Sequence, residues 1–432
     1  MSIRLRTDGV QSCGSAARVG RLAHRPLAFV IVTRTGPDRP ATAGRWLLLG
    51  AMVAVGLNLR GPIVAVAPVL ADIQRELGIS ETAAGLLTAV PVLCFAAVSP
   101  LIAPVARRLG PDATVAFSVV LLAVGIAVRP WAGFGLMLGA TVLLGAAIAG
   151  GNVLLPAIAR RDFADRAGPA LSAVTTSLLV SATIPAFLTV PLASVAGWRA
   201  ALASWAVLAV AALLLWWRVA APVARPVAVA GTASAGPRAG RAASVWRAPA
   251  AWLLGALFGT QSLLFYTTTA WLPTILQVEY DLDAATAGFA LSLFHLLGIV
   301  GAIAVPLLLR GRRLRYAVAT VLALLWAVLF AGILLAPAGW PLWCPLGGVA
   351  QGGGIAMALS LIAMRASSGE VAGSLSAMVQ TLGYCVSATG PVLIGALAGA
   401  SGGWTAPLLV LLALATMLAA IGAASAAPHP IR

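Results

Sequence analysis

Short breaks, many of them bearing arginine, divide the sequence into apolar runs, and this spacing constrains the fold more than any other feature. A helix needs about 20 mostly apolar residues to cross the hydrocarbon core of a bilayer. Such runs are read at 46–70, 82–105, 113–129, 134–158, 169–193, 198–218, 249–276, 284–309, 316–336, 340–363, 371–399 and 404–424. Hydrocarbon offers the backbone no hydrogen-bond partners, so a run of this length must satisfy its own amides as a helix. The chain is 61% hydrophobic and 9% charged, whereas a soluble domain is roughly 45–50% apolar and about 25% charged. The expectation is an all-α membrane protein with twelve transmembrane helices.

The arginines assign the sides. All 28 basic residues are arginine, and the formal net charge is +16. With both termini placed inside, 24 arginines fall in segments on the cytoplasmic side, three (Arg75, Arg129, Arg199) on the other, and Arg60 within a run. That asymmetry is the positive-inside pattern of a multi-pass protein of the cytoplasmic membrane. It accounts for the charge without nucleic acid, and no nucleic-acid partner is expected. Residues 1–45 read as a basic, disordered cytoplasmic tail; its apolar piece PLAFVIVT (26–33) is too short to span. Residues 219–248 are rich in Ala, Gly and Pro and read as a cytoplasmic linker, and 425–432 as a cytoplasmic C-terminus. Four scattered cysteines show neither metal-ligand spacing nor a disulfide framework, and no metal or cofactor is expected.

An internal repeat relates the two sides of the linker. ISETAAGLL (79–87) corresponds to LDAATAGFA (282–290) at an offset of 203 residues. The same offset relates Arg107 to Arg310 and Gly150–Gly151 to Gly353–Gly354; SAT (181–183) and GWRAAL (197–202) recur as SAT (387–389) and GWTAPL (403–408) at 206. The chain thus reads as two pseudo-symmetric six-helix bundles, 46–218 and 249–424. Two parallel six-helix halves joined by a basic loop are the pattern of a major facilitator fold, with the solute site near the midplane between halves.

Embedded polar residues are the candidate site. Arg60, in LNLRGPIVAVAPVL (57–70), lies about halfway along its run and is followed by Pro62 and Pro68. A charge in hydrocarbon costs about 2.5–3.5 kcal/mol even on the lenient insertion scale, so it defaults to a functional group. None of the twelve acids falls inside a run, which leaves an anionic or strongly polar solute as the partner for the guanidinium; the competing reading is snorkelling or a lipid contact. The prolines suggest a broken first helix that opens room at the site. Asn58 lies beside Arg60, and Gln261 falls on Asn58 at the 203 offset. Asn152 follows a glycine pair and can bond a ligand or a helix. Tyr266 and Trp271 offer a stacking wall, with an interfacial belt as the alternative for Trp271. Arg129 closes the third run near the outer face; it can reach inward, and the favoured reading is an interfacial snorkel. His295 can carry a coupling proton or pack between helices. Gln380 and Tyr384, four apart, share one helix face and serve a ligand or a neighbouring helix.

The loop PLIAPVARRLGPDA (100–113) resembles the short basic cytoplasmic motif of the major facilitator superfamily, in which Arg107, Arg108 and Asp112 would latch the two halves. NLRGPIVAVAPVL, GLLTAVPVLCF (85–95), GNVLLPAIARRDF (151–163), QSLLFYTTTAWLP (261–273) and LSAMVQTLGYCVSATGP (375–391) together resemble the cyanate/2-nitroimidazole transporter family of that superfamily, over residues 46–424. One departure is visible. The family often has proline directly after the arginine, and here Gly61 intervenes before Pro62.

The resemblance implies a secondary transporter, working by alternating access as a monomer, for a small anionic or polar solute such as cyanate. The alternative on the same fold is import or export of nitroimidazole-like or other hydrophobic drugs. No nucleophile–base set or phosphate-binding loop is present, so an enzyme is not expected.

Overall fold

The breaks between apolar runs carry helix signals. Ser80, Asp283 and Ser368 each precede a helix and accept from the backbone N–H three residues on, in Ala83, Thr286 and Val371, at 3.3, 2.9 and 3.3 Å. Asp283 also accepts from the Thr286 hydroxyl at 2.6 Å, and these bonds hold its carboxyl below the usual carboxylate range. The computed structural model describes residues 42–131, 133–219, 245–309 and 311–426. Residues 1–41 of the expected tail, most of the expected linker and residues 427–432 lie outside that set.

The regular elements are helices. The first run is not one helix but three short ones: α1 (Thr42–Gly56), α2 (Gly61–Val64) and α3 (Leu70–Leu77), with a single 3-10 turn at Ala67–Val69. Then follow α4 (Glu81–Leu109), α5 (Pro111–Val128), α6 (Phe134–Asp162), α7 (Ala167–Ser204) and α8 (Ala206–Val219). The second half contains α9 (Pro249–Tyr280), α10 (Ala284–Leu308), α11 (Arg312–Leu335), α12 (Trp340–Arg365), α13 (Gly369–Ser401) and α14 (Thr405–Ala426).

Among the described residues, ten segments are long and apolar enough to cross a bilayer. Two further spans complete the twelve. The segment Ala164–Val219, at 56 residues, turns back at Gly197, whose φ of 77° only glycine adopts freely, so it crosses twice. The 32-residue α9 is long enough but less apolar, because Gln261, Ser262, Thr267, Thr268, Thr269 and Thr274 are buried along it. The result is an all-α membrane protein of twelve spans in two repeated bundles.

The repeat recurs in contact chemistry. Gly78 and Asp281, 203 residues apart, both take the left-handed conformation that ends the first span of each bundle (φ 61° and 51°); Asp tolerates it better than most residues. Just before them, Glu76 accepts from the Trp198 indole N–H at 2.5 Å and from Arg199 at 2.9 Å. Its counterpart Glu279 accepts from the backbone N–H of Trp404 at 2.6 Å. In each bundle one glutamate therefore ties the end of the first span to the Gly-Trp turn that opens the sixth.

The bundles meet through α4 against α13 and α7 against α10. At the end of the molecule that carries these glutamates the approach is close. A Cβ on Gly85 would lie 2.5 Å from the Pro391 carbonyl oxygen, one on Gly395 would lie 2.7 Å from the Glu81 carbonyl oxygen, and one on Gly288 would lie 2.7 Å from that of Ala186. Phe187 and Phe289 meet edge to face at 5.9 Å beside the last pair. Small residues let backbones touch where lipid supplies no hydrophobic drive.

The same device packs helices within a bundle. A methyl on Gly352 would lie 1.9 Å from the Gly298 carbonyl oxygen, whereas Gly139 has nothing within 4 Å. Gly352→Ala should therefore destabilise the protein by about 1–3 kcal/mol, the cost of overpacking. Gly139→Ala should be neutral or stabilising by up to about 1 kcal/mol through helix propensity. Thermal unfolding of the two variants in detergent checks the pair.

Candidate functional site

The site is built on the break between α1 and α2. Pro62 and Pro68 have no N–H, so the carbonyls of Asn58 and Val64 lose their helical donors and the chain cannot continue as one helix. The backbone groups so exposed need partners in a region without water. Ser181 on α7 supplies one: its hydroxyl oxygen accepts from the backbone N–H of both Arg60 (3.1 Å) and Gly61 (2.9 Å). Arg129, the residue that follows α5, supplies another, donating from Nη1 to the Pro62 carbonyl at 2.8 Å. Gly61 lets α7 come this near: a Cβ there would meet Pro185 Cγ and the Ser181 carbonyl oxygen, both at 3.0 Å. The glycine that separates Arg60 from Pro62 thus has a packing reason.

Held in this way, Arg60 faces the second bundle. Its guanidinium carbon lies 5.3 Å from the centroid of the Phe265 ring on α9, within cation–π range. Phe265 in turn packs edge to face with Tyr266 (4.8 Å) and His295 (5.8 Å). Tyr384 on α13 stands edge-on between Phe258 on α9 (5.4 Å) and Phe95 on α4 (5.6 Å), so it bridges the bundles. Among the described residues the Arg60 side chain has no carboxylate and no hydrogen-bond acceptor, and it is partly exposed. The arrangement is a cation with free donors set against a cluster of aromatic edges and faces.

Other embedded polar groups are placed differently. Asn58 is buried, and its amide donates to the carbonyls of Ala54 (2.8 Å) and Leu208 (3.3 Å), which fastens α1 to α8. Gln261 is also buried; it donates to the Gln351 carbonyl (3.1 Å) and accepts from the Trp326 indole (3.0 Å). These two counterparts in the repeat both knit helices inside their own bundle. Asn152 is exposed in the middle of α6, with no hydrogen-bond partner among the described residues. Gln380 is partly buried and donates to the Ser376 hydroxyl at 2.7 Å, one turn back on α13. His295 is buried, and its Nε2 finds no partner among the described residues.

Two placements depart from the favoured sequence expectations, and for Trp271 the interfacial alternative is excluded. Trp271 is not at an interface: it is fully buried, donates to the Pro391 carbonyl at 2.8 Å and lies 5.0 Å from the Trp404 ring. Arg129 does not snorkel outward, since only 3% of its surface is exposed and the Pro62 carbonyl draws it inward. Asp112 does not pair across the bundles. It takes a bidentate pair of bonds from Arg161 (2.9 and 3.0 Å), which also bonds Asp162, while the Trp216 indole donates to the Asp112 carbonyl. This knot fastens α5, α6 and α8 of the first bundle, and Arg107 and Arg108 are exposed beside it. Phe265, Ser181 and Arg161 were not singled out from the sequence. Only Ser181 carried a signal, as part of the repeated SAT, and that signal spoke of the repeat rather than of a role.

Twelve spans in two repeated bundles, with a charged break facing the boundary between them, define a membrane transporter rather than an enzyme. The chain belongs to the Major Facilitator Superfamily, whose profile matches residues 46–387, and within it to the cyanate/2-nitroimidazole transporter family. It is 34% identical over 381 residues to an uncharacterized transporter of Bacillus subtilis (strain 168), covering 87% of this chain and 92% of that one. It is 33% identical to the 2-nitroimidazole transporter of Escherichia coli (strain K12), over 90% of this chain and 97% of that one. It is 29% identical to the cyanate transport protein of the same organism, over 83% of this chain and 91% of that one. Among solved structures, a bacterial homolog of the human lysosomal transporter Spinster superposes with a TM-score of 0.75 at 13% identity, covering 89% of this chain and 98% of that one. At that identity the likeness speaks for the fold.

Ser181→Ala removes the acceptor shared by two backbone donors at the break. Leaving buried donors unsatisfied costs about 1–3 kcal/mol, so the unfolding midpoint should fall. Ser177→Ala, which loses only a bond to Val174 within its own helix, should leave the midpoint nearly unchanged. Parallel thermal unfolding of both variants checks the contrast.

Proposed function

We propose that this chain is a secondary transporter that moves a small anionic or polar solute across the cytoplasmic membrane by alternating access. The observation that carries the reading is Arg60: a partly exposed guanidinium at a helix break, facing the Phe265 ring of the other bundle, with no carboxylate partner among the described residues. A cation inside a membrane span is costly and defaults to a functional group. The guanidinium fork matches a two-oxygen or linear anion, and its charge survives desolvation better than that of an amine. Asn152 is exposed and has no hydrogen-bond partner among the described residues.

Cyanate, the solute named for one relative, meets the charge requirement. The second reading, a nitroimidazole as in another relative, is favoured by the aromatic surroundings. A nitro group presents two acceptor oxygens to the fork, and a flat heteroaromatic ring packs against Phe265, Tyr266 and Tyr384. Both readings use Arg60 in the same way and differ in how much they need the aromatic side chains.

The asymmetry of arginine favours both termini in the cytoplasm. The close contacts of Gly85, Gly288 and Gly395 then lie at the outer end, and we read this state as closed to the outside. Rocking of the bundles about the Arg60–Phe265 contact would exchange that closure for one at the cytoplasmic end.

Purified protein in liposomes should catalyse uptake or counterflow of cyanate or 2-nitroimidazole. Arg60→Ala should lower transport at least tenfold, and Arg60→Lys should fall between, because lysine keeps the charge but loses the fork. Full transport in Arg60→Ala would overturn the binding role. Phe265→Leu should impair nitroimidazole counterflow more than cyanate counterflow, which separates the two readings.

A further inference from the structure

The seam between α1 and α7 starts at a charged cavity. The two helices run parallel, and facing residues keep one offset. At the break the N–H of Arg60 donates to Ser181, 121 residues on. One turn earlier a Cβ on Gly56 would meet the Ser177 hydroxyl, at the same offset. Two turns earlier again, Leu49 and Ala170 wall a cavity of about 130 Å³, together with Arg45 and Arg166. Both pairs keep that offset, so the cavity closes the end of the seam opposite the break. Fifteen residues separate Arg45 from Arg60, about 22 Å of helix. With Arg60 halfway along its run, the cavity lies at headgroup depth, because a bilayer with its headgroups is about 40–45 Å thick.

The lining is cationic on one side and apolar on the other. Arg45 pairs with Asp165, donates to the Asp162 carbonyl at 3.2 Å and lies over the Phe163 ring at 5.4 Å. Its side chain is still 23% exposed. Arg166, just before α7, is exposed, and its side chain has no hydrogen bond or ion pair among the described residues. Asp165 offsets one of the two arginines, which leaves one positive charge in excess. Trp46, Leu49, Phe163 and Ala170 make the apolar side. At the mouth Trp46 is 62% exposed and its neighbour Leu47 45%, so α1 turns an apolar surface outward beside the charges. The space holds several water-sized particles, room for a phosphate group. A free anion would use the arginines alone; a phospholipid uses the apolar surface as well.

We propose that this cavity binds the phosphodiester of an anionic phospholipid, with Arg166 as its principal partner, Arg45 behind it and an acyl chain along Trp46 and Leu47. Guanidinium groups suit phosphate oxygens, and the anionic cytoplasmic leaflet concentrates on basic groups at this depth. The choice of leaflet rests on the orientation proposed above; the site does not depend on the identity of the solute. The lipid joins the start of α1 to the start of α7, the two helices that Ser181 joins again at the break.

The test uses the full-length protein purified in detergent. Its unfolding midpoint is followed as phosphatidylglycerol or phosphatidylcholine is added to the micelles and, separately, as inorganic phosphate is added at constant ionic strength. Phosphatidylglycerol should give a saturable rise of several degrees, as for a ligand that binds only the folded state; phosphatidylcholine and inorganic phosphate should not. Arg166→Gln should remove most of the rise. Arg75→Gln, an exposed arginine at the opposite end of the first bundle, and Arg60→Ala should retain it. An equal rise with both lipids, a rise reproduced by inorganic phosphate, or one that survives Arg166→Gln would overturn the proposal. Should Arg166→Gln fail to fold, native mass spectrometry of the unmodified protein in an equimolar mixture of the two lipids decides: preferential retention of phosphatidylglycerol supports the site, and equal retention overturns it.

Discussion

A helix interrupted inside a membrane leaves backbone groups with no water to turn to, and the architecture around residues 57–69 follows from satisfying them. Ser181 takes two N–H groups at the start of α2, and Arg129 gives one to the Pro62 carbonyl. Both must come close. Gly61 admits α7, and Leu59 seats against Gly151 of α6, where a Cβ would meet its methyls at 2.7 and 2.9 Å. The elements that converge here, α5, α6, α7 and α8, do so because the break obliges them to. Arg60 inherits its direction from this framework rather than from contacts of its own side chain.

The two bundles share a plan and differ where function requires it. Both use a glutamate at the end of the first span to hold the Gly-Trp turn of the sixth, and both end that span in the left-handed conformation. Only the first bundle breaks its first span. In the second, α9 runs uninterrupted for 32 residues, and Gln261, the counterpart of Asn58, is bonded on both its oxygen and its nitrogen. The consequence is a division of labour. One bundle presents a cation on a bent segment; the other presents Phe265 and Tyr266 on a continuous, buried helix. A solute placed between them would be held by charge from one side and by ring surface from the other.

How much of this the sequence discloses depends on range. The spans and the repeat were readable because each rests on a regularity of composition or spacing, and the broken first helix was readable from Pro62 and Pro68. The azimuth of a polar side chain is not local information. Asn58 and Gln261 correspond at the offset of the repeat, yet both spend their amides on carbonyls about 90 to 150 residues away, and no nearby pattern encodes those partners. Trp271 and Arg129 sit near span ends, where the general rule is an outward reach. For each, an inward carbonyl, of Pro391 or of Pro62, outcompetes it.

The distribution of charge separates arginines that build from arginines that bind. Arg161 is enclosed by Asp112 and Asp162 and closes a knot among three helices. Arg199 meets Glu76, and Arg45 meets Asp165. The two arginines at the break have no acid among the described residues, and they could not be lysines without loss. An ammonium concentrates its charge at one atom, so donating to a backbone carbonyl would direct that charge at the carbonyl. A guanidinium divides its donors. Arg129 commits Nη1 to the fold, and Arg60 lies over an aromatic face while its N–H groups stay free in the plane. The break thus places two guanidinium groups where, among the described residues, no acid pairs with either.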